Sequence, residues 1–217
     1  MMFRDREDAA RQLAGRLKPW KGRHPLVLAI PRGAVPMGAI IAEALEGDLD
    51  VVLVHKLGAP GNPEFAIGAV DESGHIHVAD HAAMTGASPE DIEAEARAQL
   101  AVLRKRRAQY TPVRPPLDPA GRVVIVVDDG VATGATVMAA LQAIRAKKPE
   151  KLILAIGVAP PDTLNRLRPL VDELVCLHSP AEFWAVGQFF ADFRQVEDEE
   201  AVDILRRFGE RSSTSTA

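Results

Sequence analysis

Residues Val123 to Thr136 read VVIVVDDGVATGAT. Val123-Val124-Ile125-Val126-Val127 is a short apolar run of the kind that forms a strand buried on both faces of a parallel sheet. Asp128-Asp129-Gly130 ends it, and a helical pattern begins at Thr136. In an open α/β sheet, ligands bind beyond the carboxyl ends of the strands, which is where this loop falls. The free N–H groups of the following helix, with the Thr133 and Thr136 hydroxyls, suit a phosphate dianion. Gly130 and Gly134 allow the close approach and unusual dihedrals that such a loop needs. Asp128 and Asp129 would repel that phosphate, and instead suit neutral hydroxyl donors such as the vicinal diol of a ribose. The bland alternative is a strand–turn–helix junction with Asp as a cap, which two adjacent acids disfavour.

Other phosphate motifs fit less well. The segment has no Gly-Lys-Ser/Thr and no G-x-G-x-x-G. Its acids are adjacent rather than alternating, which weakens a haloacid-dehalogenase-like phosphatase reading.

Outward from this segment, the same grammar recurs. Leu26–Ile30, Val51–Val54, Leu152–Ile156 and Glu173–Leu177 are further strand candidates, most of them running into Gly/Pro-rich turns. Helical patterns cover Asp5–Leu17, Pro36–Leu45, Thr136–Lys147 and Pro161–Leu170. Alternating strands and helices predict an α/β fold with a parallel sheet flanked by helices. Ala66–Val78 reads as a hairpin turning at Asp71-Glu72-Ser73-Gly74. The longest predicted helix runs from Ser88 to about Tyr110, with Ser88 as N-cap, Asp91 as its capping-box partner and one face carrying Ile92, Ala96, Leu100 and Leu103. Its basic run Arg104–Arg107 is expected to be a solvated face, with phosphate or partner binding as the alternative. Pro112, Pro115, Pro116 and Pro119 read as a rigid connector.

The 217 residues are read as one domain over 1–211, with an insertion at about 65–120, a small C-terminal hood at about 178–211 and a frayed tail at 212–217. Composition is that of a globular protein, 47% hydrophobic and 26% charged. A net charge of −4 gives no footprint for general nucleic-acid binding. Cys176 is the one cysteine, so an internal disulfide framework and a Cys-rich zinc site are excluded. The charged start of the chain and the shortness of its apolar runs predict no secretory signal and no membrane span, hence a cytoplasmic protein. His75, His77, His81 and His178 lack a recognisable metal or catalytic spacing.

Asp128 to Thr136 resembles the PRPP-binding motif of the type I phosphoribosyltransferases, and motif and sheet pattern together cover about Leu26–Leu177. The resemblance implies that Gly130, Val131, Ala132, Thr133, Gly134, Ala135 and Thr136 hold the 5′-phosphate of PRPP, while Asp128 and Asp129 hold the ribose hydroxyls. Gly130 stands where the family has a bulky apolar residue. Pro31–Pro36 is implied to be the pyrophosphate loop, often carrying a non-proline cis peptide. Arg32 offers phosphate a bidentate fork, and Gly33 lets the backbone approach. Lys56 is implied to reach the pyrophosphate, with His55 as packing or support. Asn62–Val70 resembles a block in a bacterial subgroup of predicted phosphoribosyltransferases with no settled acceptor, where Asn62 and Glu64 are candidate contacts.

Phe183, Trp184 and Asp192 resemble the base-binding hood of the 6-oxopurine enzymes, as stacking and hydrogen-bonding groups for the acceptor. Phe189, Phe190 and Phe193 read equally as core. The interval from Gly187 to Asp192 is one residue longer than in that group, and Ala132 replaces an acid thought to act on the purine, which puts a hypoxanthine or guanine acceptor in doubt. The expected activity is a Mg²⁺-dependent phosphoribosyltransferase, with Asp128, Asp129, Lys56 and Arg32 as its catalytic set. PRPP and a nitrogenous base, purine-like in preference, are the expected substrates; Mg²⁺ is expected to be held mainly by PRPP, and the protein to form a homodimer. A PRPP- or nucleotide-sensing regulator on the same fold, or a phosphoribosyl hydrolase, is the alternative.

Overall fold

A computed structural model describes residues 2–79, 82–110 and 116–214, and the side chains of 63–66 and 211–214 lie outside the description. The expectations for His81, Pro112, Pro115 and the Glu64 side chain therefore fall outside the described residues.

Five strands, β1 (Leu26–Ala29), β2 (Asp48–Val51), β6 (Val123–Gly130), β7 (Lys151–Val158) and β8 (Glu173–His178), form a parallel sheet in the order β2-β1-β6-β7-β8. Three more, β3 (Val54–Ala59), β4 (Asn62–Asp71) and β5 (Ile76–Val78), form a separate antiparallel sheet in chain order. The helices are α1 (Arg6–Arg16), α2 (Val35–Leu45), α3 (Pro89–Tyr110), α4 (Ala135–Ala146), α5 (Pro161–Leu167) and α6 (Asp198–Thr214). Short 3₁₀ turns supplement them, including Arg168–Leu170 directly after α5.

Alternate residues of each parallel strand serve two cores. Val27, Ala29, Ile125, Val127, Ile153 and Ala155 pack with α1, α2 and α6, while Leu26, Leu28, Val124, Val126, Leu152 and Leu154 pack with α4 and α5. Burial on both faces explains why these strands are continuous apolar runs. Each fully buried aliphatic side chain contributes about 1.5–3 kcal/mol of transfer free energy.

The second core strand differs from expectation. It is Asp48–Val51, and Val54 already opens the antiparallel sheet, so His55 and Lys56 lie within β3 rather than at the end of a core strand. Two acids masked the strand in sequence, and tertiary partners make them tolerable. Asp48 pairs with Arg122 at 2.7 Å, and the buried Asp50 accepts from the Leu117 and Val51 N–H groups and from Arg107.

The Asp71–Gly74 turn between β4 and β5 matches the expected hairpin, with the Asp71 carboxylate accepting from the N–H groups of Ser73 and His75. The long helix starts as predicted, Ser88 Oγ accepting from the Asp91 N–H and the Asp91 carboxylate from the Ser88 N–H. Its basic run is only partly solvated. Arg104–Arg106 are exposed, but Arg107 turns inward to Glu72, Asp50 and the Val51 carbonyl, joining α3 to both sheets. At the C-terminus, α6 continues to Thr214, into the segment expected to fray, and 215–217 lie outside the described residues.

Candidate active site

The connections of β1 and β6 leave the sheet in opposite directions, β1 toward β2 through α2 and β6 toward β7 through α4. Between adjacent strands whose connections diverge, the carboxyl-end loops part and open a crevice. Two of the loops singled out in the sequence, 30–34 and 130–134, emerge side by side there, linked by the Ile30 N–H donating to the Val127 carbonyl at 3.0 Å. A cavity of about 380 Å³ lies at this point, lined by Ile30 to Gly33, Asp128, Asp129, Arg6 and residues of the C-terminal segment including Val186 and Phe193.

Loop 131–134 is held by hydrogen bonds with neighbouring elements. Gly134, at φ 84°, is the N-cap of α4. The Val131 N–H donates to the Val158 carbonyl at 2.8 Å, the Thr163 hydroxyl to the Ala132 carbonyl at 2.6 Å, and Arg166 Nη2 to the Thr133 carbonyl at 3.1 Å. With the carbonyls drawn toward α5, the N–H groups of Ala132, Thr133 and Gly134 find no acceptor among the described residues. Such a row of donors at a helix start attracts anions. Ala132, Thr133 and Thr136 are exposed, and Ala135 half-buried. Gly130 makes room for the hood: a Cβ there would lie 2.5 Å from Val186 and 2.8 Å from Val158. These contacts leave no room for a side chain at this position.

The acid pair lies at the end of β6. Burial, reinforced by the charge of Asp129, pushes the Asp128 carboxyl well above the usual carboxylate range. Burial raises Asp129 as well, against the opposing pull of Arg6. The Arg6 Nε–H donates to Asp129 Oδ2 at 2.7 Å.

On the neighbouring loop, the Pro31–Arg32 peptide is cis. Arg32 faces the start of α6, with its guanidinium 3.6 Å from Glu197 and 3.9 Å from Asp198. Asp198 also accepts from the Tyr110 hydroxyl, whose pKa burial and this carboxylate push up to about 12. Gly33 sits against the acid pair: a Cβ there would come within 2.5 Å of Asp129 Oδ2.

Arg32, Gly33, Asp128 and Asp129 are thus brought together. Lys56 stands in β3 opposite Ala69 and does not line the cavity. The hood aromatics divide in an unexpected way. Trp184 is 89% exposed, Phe183 packs on Phe189 at 5.4 Å, and Asp192 opens onto an adjacent cleft beside Arg194. Phe193 is the ring that lines the cavity, while Phe189 and Phe190 are core.

Arg6 escaped the sequence reading. It comes from the first turn of α1, and the N-terminal segment carries it to the site by docking on the hood: Phe3 N–H donates to the Phe189 carbonyl, and the Ala191 and Asp192 N–H groups to the carbonyls of Phe3 and Arg4, each at 2.8 Å. A lone arginine in a charged amphipathic helix carries no local signal of such a contact.

Among the described residues no cluster of three or more His, Cys, Asp or Glu could hold a metal ion, and no helix is long and apolar enough to cross a membrane.

An open parallel sheet flanked by helices, with a loop of free N–H groups and an acid pair at the point where its strand order reverses, has the architecture of the type I phosphoribosyltransferase fold. Residues 4–193 match the phosphoribosyl transferase domain family, and the chain belongs to it. It is 41% identical over 208 residues to the Mycobacterium tuberculosis protein Rv0571c, named provisionally as a phosphoribosyl transferase, covering 95% of this chain and 47% of that protein. The chain therefore spans about half the length of the curated relatives it matches. The crystal structure of TT1426 from Thermus thermophilus superposes with a TM-score of 0.89 at 45% identity, covering 96% of this chain and 99% of that one.

Proposed function

We propose that this protein transfers the phosphoribosyl group of PRPP to a ring nitrogen of a heterocyclic base, releasing pyrophosphate. The observation that carries the reading is the meeting of the acid pair and the Arg32-Gly33 turn around one cavity of about 380 Å³, with the carbonyl-latched loop 131–134 following the acid pair in the chain. In this reading the N–H groups and hydroxyls of Ala132 to Thr136 bind the 5′-phosphate, and Asp128 and Asp129 accept from the ribose hydroxyls. The Arg32 fork and the Gly33 backbone receive the pyrophosphate, displacing the long contacts of Arg32 with Glu197 and Asp198. Lys56 is assigned to the pyrophosphate by family resemblance alone.

The donor set suits Mg²⁺ held by substrate oxygens and water, since the described residues offer no protein cage and Mg²⁺ favours that mode. When bound, the ion supplies charge neutralisation to the departing pyrophosphate. Fixing the ribose through two carboxylates holds C1 in line between the leaving oxygen and the incoming nitrogen. The attacking nitrogen is taken to come from a purine-like base on the Phe193 side of the cavity. A homodimer is part of the proposal, with sedimentation velocity as its check.

The test is pyrophosphate release with Mg²⁺ and PRPP against a panel of purines, pyrimidines, nicotinate and orotate. Base-dependent release supports the transfer. Tight PRPP binding without turnover assigns the site to sensing instead, and base-independent release assigns it to hydrolysis.

A further inference from the structure

Arg6 makes one anchor for two parts of the site that are distant in sequence. Its Nε–H donates to Asp129 Oδ2 at 2.7 Å, its Nη1 donates to the Arg194 carbonyl at 2.6 Å, and its guanidinium carbon lies 3.8 Å from the centroid of the Phe193 ring. The Arg6 and Asp129 side chains are each only 12% exposed, so the pair is sheltered from screening. Gly33 leaves the space that the pair fills: a Cβ there would lie 2.5 Å from Asp129 Oδ2 and 3.3 Å from Arg6 Nη2. A planar guanidinium can meet a carboxylate, a carbonyl and a ring face at once through separate N–H groups and its flat face, an arrangement that a compact ammonium on a flexible stem reproduces poorly. The guanidinium covers one face of Phe193, and Arg6 and Phe193 both line the cavity.

We propose that Arg6 is a positioning residue for phosphoribosyl transfer, holding the Asp129 carboxylate in the orientation that receives a ribose hydroxyl and tying it to the ring beside the acceptor. The inference rests on the transfer reading above. Asp128 lies beside Asp129 on β6 and Arg32 lines the same cavity, while Glu200 of α6 pairs with Arg194 and also feels the Arg6 charge. Among these groups Arg6 is the cation bonded to Asp129 in the described structure.

The experiment compares the full chain with Arg6→Ala and Arg6→Lys by two readings. The first needs no activity: NMR titration of ¹³C-carboxyl-labelled aspartates, with Asp129 assigned in an Asp128→Asn background. Asp129 is expected to titrate at higher pH in Arg6→Ala than in the unsubstituted chain, and an unmoved titration overturns the proposal. The second is steady-state turnover of PRPP. Loss of a charge-assisted hydrogen bond is expected to lower kcat about ten- to a hundredfold in Arg6→Ala, with partial recovery on adding ethylguanidinium and little recovery in Arg6→Lys. Unchanged kcat in both variants overturns the proposal. If the titration moves while the unsubstituted chain turns over PRPP with no base, the transfer reading falls and the Arg6–Asp129 coupling stands. Should Arg6→Ala fail to give a cooperative melt, Arg6→Met, with a comparable stem and no charge, supplies both readings.

Discussion

At the scale of single residues, the acid pair concentrates the opposing demands on this site. Two neighbouring carboxyls at a buried strand end resist joint ionisation, and Arg6 offsets only part of that cost. Because the folded-state pKa of Asp128 is raised, the native state binds protons that the unfolded chain releases above the ordinary carboxylate pKa. Stability therefore falls as pH rises from that value through the raised one. Asp128→Asn is expected to raise Tm above that of the unsubstituted protein at pH 7.5, with the gap closing toward pH 4; thermal melts across that range check it. Asp129→Asn is expected to weaken PRPP turnover by about ten- to a hundredfold, through loss of a charged acceptor. Equal turnover would remove Asp129 from ribose binding. Neither acid's environment was legible beyond adjacency, since both burial and the Arg6 partner come from elsewhere in the chain.

At the scale of elements, two tertiary latches hold what the sequence presents as loops and helix faces. Thr163, buried in α5, bonds the Ala132 carbonyl and so orients the free N–H groups of loop 132–134. Thr163→Val removes a hydrogen bond with a net value of about 1 kcal/mol. PRPP affinity is expected to drop about fivefold in calorimetric titration, with the fold intact by circular dichroism. The second latch is Arg107, whose charge faces both Asp50 and Glu72. Arg107→Met leaves two sheltered carboxylates without their cation, a loss of about 3–5 kcal/mol in urea unfolding. The basic run on α3 read as a solvated face because periodicity reports which residues share a side, not which side finds an ion partner. For the same reason Asp48–Val51 did not read as a strand: its acids look hydrophilic until Arg122 and Arg107 are in position.

At the scale of the whole molecule, a sheet covered on both faces depends on its central strand. Ile125 in β6 is fully buried, and Ile125→Ala is expected to cost about 2–5 kcal/mol in chemical denaturation. The features legible in the chain alone are those whose physics is local: apolar runs for four of the five parallel strands, the Ser88–Asp91 cap, the Asp71–Gly74 turn and the Asp128–Thr136 loop. In each, the residues that define the feature are neighbours in the chain, so their spacing carries the geometry. Long-range packing settles the rest: the N-terminal segment completes the hood, and Arg6, 123 positions from Asp129, reaches its carboxylate. Packing also places Phe193, rather than Trp184, at the cavity wall. Those contacts join segments far apart in the chain, and no local pattern encodes a partner supplied by the packing of another element.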